Sequence, residues 1–417
     1  MADQNPYSNF VKMLDKTAKQ MNLDEVAYEF VKYPERELKV SIPVEMDNGK
    51  VRLFEGYRVQ HCSMRGPCKG GVRYHTDVNE DVMRAMAGVT TLQCALTNIP
   101  FGGAYGGVNV DVKELSHEEI KKLTRRYTAM ILPFIGPMQD IPAPDVNTNE
   151  EMMGWIMDTY SMMKGYAVHG IVTGKPLDLG GSMGAEEAPA RGLVYVTREL
   201  LKRLKKPVEL TSAVILGMGK VGAATARQMY NEGIRISAVG DITGAIACRT
   251  GLHIPSVLEH MQSGGLLCDF QDDGVEHISC RELLEMECDL LVPAALECQI
   301  NAENAEAIQA KIIIEGAHCP TTVEADEILE RRGITVVPDI LANAGGMIVS
   351  YFEWVQNIQS LMWDGDEVSR MMRQVILKAF DDVYEMAHMN HISLRMSAYS
   401  LALDKVVRAK KIRGIFP

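Results

Sequence analysis

What the sequence lacks narrows it first. It has no Cys-x-x-Cys pair and no His-Glu-x-x-His, so its nine cysteines and ten histidines are read without a metal site. An odd cysteine count with no paired spacing also argues against a disulfide framework, and the thiols are read as reduced ones of a cytoplasmic protein. No apolar run approaches a membrane span, and Met1-Ala2-Asp3-Gln4-Asn5 has no basic segment leading into an apolar one. There is no surplus of positive charge. The formal net charge is −12, which argues against nucleic acid or an anionic membrane as a partner. Low-complexity segments and short repeats are absent too.

What remains is a soluble globular composition, 47% apolar and 24% charged. At 417 residues the chain exceeds one ordinary core and implies two domains or more. Methionine is abundant, with Met152, Met153, Met157, Met162 and Met163 close together. That cluster reads as adaptable filler for a core or a subunit interface.

The stretch Ile99-Pro100-Phe101-Gly102-Gly103-Ala104-Tyr105-Gly106-Gly107 reads as a glycine loop feeding a strand at Val108, Val110 and Val112. It carries no charged side chain. In Asp140-Ile141-Pro142-Ala143-Pro144-Asp145 two prolines stiffen the chain and aim a carboxylate. Together they suggest a reaction site. Arg65-Gly66-Pro67-Cys68-Lys69-Gly70-Gly71-Val72-Arg73 reads as a basic loop, either a carboxylate receptor or a solvated surface.

Around these, residues 6–32 have helical spacing, and Leu38 to Met46 alternates as an edge strand containing Pro43. Asp47-Asn48-Gly49 turns into a second strand from Val51 to about Gln60. Helices are expected over about 80–96, from a capping box at Ser116 to about 134, and from a second box at Thr148. Residues 173–182 read as a loop at a domain boundary.

A different pattern follows a helix over about 188–205. The short apolar strand Ser212–Leu216 leads into Gly217-Met218-Gly219-Lys220-Val221-Gly222 and a helix, and a second strand ends at Gly240-Asp241. A Gly-x-Gly-x-x-Gly in that setting, with an acid nearly twenty residues on, is a dinucleotide site. The helix N-terminus takes the pyrophosphate and Asp241 accepts from a ribose hydroxyl, unless Asp241 only caps its own turn. Its charge favours NAD over NADP. Further short strands near 289–292, 311–314 and 334–337 extend an open, largely parallel sheet with helices on both faces. Long helical stretches then run to the C-terminus.

The chain resembles the Glu/Leu/Phe/Val dehydrogenase superfamily, most closely the glutamate dehydrogenases. The resemblance rests on Gly56–His61, Arg65–Arg73, Asp140–Asp145, Thr173-Gly174-Lys175-Pro176, and Asn343-Ala344-Gly345-Gly346 running into Ser350–Trp354. It implies an α/β fold of two domains. An N-terminal substrate and oligomerisation domain, 1–185, is rejoined by the C-terminal helices, 365–417. A Rossmann-type domain fills 186–364, and the active site lies in the cleft. It further implies a homohexamer that interconverts an L-amino acid with its 2-oxo acid and ammonia, using NAD or NADP. By the same resemblance Lys69 and Ser350 hold the substrate's distal carboxylate, Asp145 is the catalytic acid, and Asn343 contacts the cofactor.

The departures cluster at the reaction centre. The family's catalytic lysine, which polarises the carbonyl, is Tyr105 here. The lysine expected to hold the α-carboxylate is Gln93. Glu-Ala-Thr becomes Glu187-Ala188-Pro189, and Ala-Asn-Gly-Pro becomes Ala317-His318-Cys319-Pro320. A phenol of ordinary pKa about 10 donates one neutral hydrogen bond where an ammonium would place a full charge. Losing one such group costs about 10²–10³ in rate. Two readings therefore stand: a working glutamate-type dehydrogenase with a modified donor or shifted substrate, and a silent sensor subunit that regulates an active paralogue.

Overall fold

The computed structural model describes residues 5–414; Met1–Gln4 of the N-terminal stretch lie outside them. The chain divides into two compact units. The first takes the chain up to Glu186, then Met347–Met371 and the segment from Tyr399; the second takes Glu187–Gly346 and Met372–Ala398. This differs from the expected division at the C-terminal end, where the long helices are shared between the units rather than given to one. The reason is that Gly345–Gln359, Gly365–Asn390 and Leu394–Arg413 are single helices that each run across a boundary.

The first unit is built on a five-stranded sheet: β1 (Arg36–Glu45), β2 (Val51–Cys62), β3 (Cys68–His75), β4 (Gly102–Asn109) and β5 (Asp140–Pro144), in the order β1-β2-β4-β3-β5. β1 lies at an edge, which accommodates Pro43. Its Val40, Ile42 and Val44 point inward and join Phe54, Tyr74, Val108, Leu123 and Tyr127 in one core. Met152, Met153 and Met157 belong to that core, whereas Met162 and Met163 are exposed.

Two expected loops are strands. The glycine stretch is β4 and most of the basic segment is β3, paired in parallel with Lys69 opposite Gly103 and Val72 opposite Gly106. Glycine signals a loop when read locally, but here it permits close strand approach. A Cβ on Gly70 would lie 1.5 Å from the Ala104 carbonyl oxygen. The first helical stretch breaks after Gln20, where Asn22 takes a left-handed φ of 52°. The helix Glu150–Lys164 is capped by Asn149, whose side chain accepts from Met152 N, not by Thr148. The Ser116–Glu119 capping box is present, on a helix ending at Ile131.

The second unit has seven strands in the order β12-β11-β10-β6-β7-β8-β9: β6 (Ser212–Leu216), β7 (Arg235–Asp241), β8 (Gly244–Ala247), β9 (Glu276–Ile278), β10 (Leu290–Pro293), β11 (Ile312–Ile314) and β12 (Thr335–Val337). The five from β12 to β7 are parallel, as the repeating pattern implied. β8 and β9 add an antiparallel edge that the sequence reading did not contain. Among the described residues no helix is long and apolar enough to cross a membrane.

Candidate functional site

In the first unit β3 delivers Lys69 into a wholly buried position. Its Nζ donates to Thr173 Oγ1 at 2.6 Å and lies 3.5 Å from the Ile141 carbonyl. Thr173 Oγ1 in turn donates to Ser350 Oγ at 3.2 Å. Lys69 and Ser350 are thus joined through a threonine that the sequence reading quoted only as part of a motif. Burial pushes the Lys69 ammonium down to about 7, with Glu353 opposing the shift and Arg58 adding to it.

The three cations of the basic segment do not act alike. Arg73 donates Nε to Asp145 Oδ2 at 2.8 Å and lies 3.5 Å from Asp77. Its charge is therefore shared with two acids. Among the described residues Arg65 donates to the Ile99 carbonyl, at 3.4 Å, and its buried Nε has no hydrogen-bond partner.

Of the two carboxylates bracketing β5, Asp140 is locked. Arg58 grips it in a two-pronged pair, with Nε to Oδ2 at 2.9 Å and Nη2 to Oδ1 at 2.5 Å, and both side chains are fully buried. Asp145 is the half-buried one. Its N–H donates to Thr148 Oγ1 at 2.8 Å, and that hydroxyl donates to the Val72 carbonyl, which fixes the turn after β5.

Tyr105 sits on β4 opposite Val59 and is 3% exposed. Its ring lies over Gly71. A Cβ on that glycine would be 2.8 Å from Tyr105 Cζ, 2.9 Å from its hydroxyl and 2.9 Å from Asp145 Cβ. The phenol and the aspartate therefore meet over one patch of bare backbone. Gln93 is buried near the end of the helix Glu80–Leu96. Burial pushes the thiol of its neighbour Cys94 up to about 12, against the pull of Lys69 and Arg65, so this turn of helix lies in the field of both cations.

In the second unit the glycine motif takes up three distinct tasks. Gly217 has a φ of 105°, and Gly222 is so close to the Gly217 carbonyl that a Cβ would lie 1.7 Å from its oxygen. Gly219 caps the helix Lys220–Asn231, and a Cβ there would meet nothing within 4 Å. Two glycines thus pack the turn, and the third leaves open space at a helix N-terminus, the cradle a dinucleotide pyrophosphate requires. Asp241 ends β7, and its Oδ1 accepts from Thr243 N at 2.7 Å and Thr243 Oγ1 at 2.6 Å, so it does hold its own turn. Asn343 Nδ2 donates to the Gly316 carbonyl at 3.2 Å. Among the described residues no three His, Cys, Asp or Glu side chains gather as a metal ion would need.

A parallel sheet with a dinucleotide cradle in one unit, and a buried lysine with a nearby acid in the other, are the parts of a two-domain dehydrogenase. Comparison with known proteins gives the particular kind. Residues 180–414 match the Glutamate/Leucine/Phenylalanine/Valine dehydrogenase family, and residues 34–162 match the Glu/Leu/Phe/Val dehydrogenase dimerisation domain. The chain is 46% identical to a glutamate dehydrogenase of Thermotoga maritima, with all of both chains covered. It is 43% identical to the catabolic NAD-specific glutamate dehydrogenase of Bacillus subtilis, over 93% of this chain and 91% of that one. In three dimensions it matches the hetero-hexameric glutamate dehydrogenase of Thermus thermophilus, solved in a Leu-bound form. There the TM-score is 0.94 and the identity 37%, covering 100% of this chain and 98% of that one. The chain belongs to the Glu/Leu/Phe/Val dehydrogenase family and is a glutamate dehydrogenase-like oxidoreductase.

Proposed function

We propose that this protein binds an amino acid with a distal carboxylate, glutamate first, together with NAD, and interconverts it slowly with the 2-oxo acid and ammonia. A bound dinucleotide supplies the hydride acceptor. Lys69, Thr173 and Ser350 receive the distal carboxylate, and Gln93 donates to the α-carboxylate without charge assistance, at roughly half the strength of an ionic contact. Asp145 moves the proton to and from the amine. Tyr105 offers its O–H to the carbonyl oxygen. The observation that carries this reading is the placement of the Tyr105 hydroxyl and Asp145 over Gly71. An uncharged donor beside an acid can orient a carbonyl, but it stabilises the developing oxyanion less than an ammonium does.

The choice of NAD rests on Asp241, whose charge would repel a 2′-phosphate, and on the NAD-specific name of the Bacillus subtilis relative. Gly217, Gly219, Gly222 and Asn343 complete the cofactor contacts. A homohexamer is the proposed assembly.

A second reading has its own support. Positions 93 and 105 are both uncharged here, and the Thermus thermophilus structure is hetero-hexameric and Leu-bound. On that reading the chain senses an amino acid and regulates a lysine-bearing paralogue. One experiment separates the two: amino acids and 2-oxo acids are scanned for cofactor reduction or oxidation by absorbance, and the same ligands are titrated by calorimetry. Turnover on glutamate above background supports the dehydrogenase. Binding without any turnover supports the sensor.

A further inference from the structure

The turn that presents Thr173 to Lys69 is organised by a charge pair that touches neither of them. Glu353 projects from the helix Gly345–Gln359, one turn beyond Ser350. Its Oε1 accepts from Lys175 Nζ at 2.5 Å and its Oε2 from Gly174 N at 2.9 Å. Lys175 Nζ also donates to the Val172 carbonyl at 2.7 Å. Both side chains are wholly buried. One carboxylate and one ammonium therefore close the turn Val172–Lys175, which presents the Thr173 hydroxyl between Lys69 Nζ and Ser350 Oγ.

We propose that Glu353 and Lys175 are positioning residues that hold Thr173 against Lys69 and balance the charge around the Lys69 ammonium. The inference rests on the reading of Lys69 as the carboxylate receptor and assigns a role to two residues outside it. A buried ion pair seldom repays its own desolvation, which makes a wholly buried Lys–Glu pair a costly way to brace a turn. Two buried ammonium groups, Lys69 and Lys175, and the buried guanidinium of Arg58 share this part of the unit. The groups acting on Lys69 are Glu353 from the helix, Arg58 from β2, Cys94 from the helix Glu80–Leu96, and Lys175 from the turn itself. Glu353 is the strongest of these influences and favours the charged form; Arg58 and Lys175 oppose it. Lys175 is itself pushed down by burial and held up by Glu353. The pair thus does two things with one carboxylate: it fixes a hydroxyl, and it keeps Lys69 on the edge of protonation.

The test is the affinity of the full-length protein for glutarate, a five-carbon dicarboxylate with no amine to oxidise, measured by calorimetry from pH 6 to 9.5. Wild type should lose affinity above a midpoint near the Lys69 value. Glu353→Gln should move that midpoint down, so that at pH 8 a one-unit shift reads as about tenfold weaker binding. It also leaves Lys175 without its anion, but the direction stands because Glu353 outweighs Lys175 at Lys69. Lys175→Met should move the midpoint up. Glu353→Asp, which keeps the charge but shortens the reach, should weaken binding at every pH with the midpoint unmoved. Opposite shifts in the Gln and Met variants support the inference. Equal losses with an unmoved midpoint in both overturn it and leave a merely structural pair. A flat profile in wild type instead overturns the reading of Lys69. If Glu353→Gln does not fold, the Lys175→Met midpoint decides alone.

Discussion

Gly71→Ala is the sharpest probe of how the proposed reaction centre is built. The added methyl would meet Tyr105 Cζ at 2.8 Å, the Tyr105 hydroxyl at 2.9 Å and Asp145 Cβ at 2.9 Å, all closer than carbon contacts allow. The ring is 3% exposed and Asp145 is anchored through Arg73 and Thr148, so neither yields without disturbing its neighbours. Overpacking of this kind costs about 1–3 kcal/mol. For a domain of this size that is a fall on the order of 2–10 °C in melting temperature. Displacing reacting groups by about 1 Å also costs about 10²-fold in turnover where there is turnover. The assay is calorimetric melting of Gly71→Ala in two backgrounds, wild type and Tyr105→Ala. With the ring removed, two of the three nearest atoms are gone and Asp145 Cβ is left of them, so the penalty should shrink. An equal penalty in both backgrounds would show that the ring does not lie over Gly71. No penalty in either would refute the packing altogether.

Tyr105→Lys combined with Gln93→Lys should raise the rate of NAD reduction with glutamate by about 10²-fold or more, and unchanged kinetics would mean that the pocket has diverged beyond these positions. Asp145→Asn should abolish whatever cofactor reduction wild type supports, so a retained rate removes it from proton transfer. The Lys69 midpoint of about 7 fixes a sign: below it the ammonium is charged and ready for a carboxylate, and above it a proton must first be taken up. The competent fraction falls from about one half at pH 7 to about one hundredth at pH 9, so affinity for a dicarboxylate should drop about 50-fold over that range. A lysine of ordinary pKa would show almost none of this, and a level profile excludes the mechanism. In the second unit, Gly219→Val should weaken NAD binding with the fold intact, because space is open there, whereas Gly222→Val should unfold the turn itself. Fluorescence titration with NADH and circular dichroism together distinguish the two.

The parts legible from sequence were those decided by local physics. The Ser116–Glu119 box caps a helix because both of its hydrogen bonds close within four residues. The strand before Gly217 and the helix after it follow from apolar runs broken by glycine. The glycine-rich segments misled for a physical reason: glycine is a loop signal only when no neighbouring strand demands the space, and the Ala104 carbonyl beside Gly70 is invisible to local reading. The β8–β9 edge was missed because Gly-Ala-Ile-Ala and Glu-His-Ile lack the run of large or β-branched apolar residues that marks the equally short β10, β11 and β12. At the site, the resemblance named Lys69 and Ser350 as partners, and hydrogen bonds join them through Thr173. The Glu353–Lys175 pair was out of reach, because nothing in the spacing of two residues so far apart says that their charges meet in the interior.

The floor beneath Tyr105 and Asp145 is main chain, contributed by β3 at Gly70 and Gly71. Because Gly71 brings no side chain of its own, that surface takes the ring by close approach, with the Cβ position only 2.8 Å from Tyr105 Cζ. Any other side chain standing at position 105 would meet that same glycine backbone, so its length against Gly71 would decide how it fits.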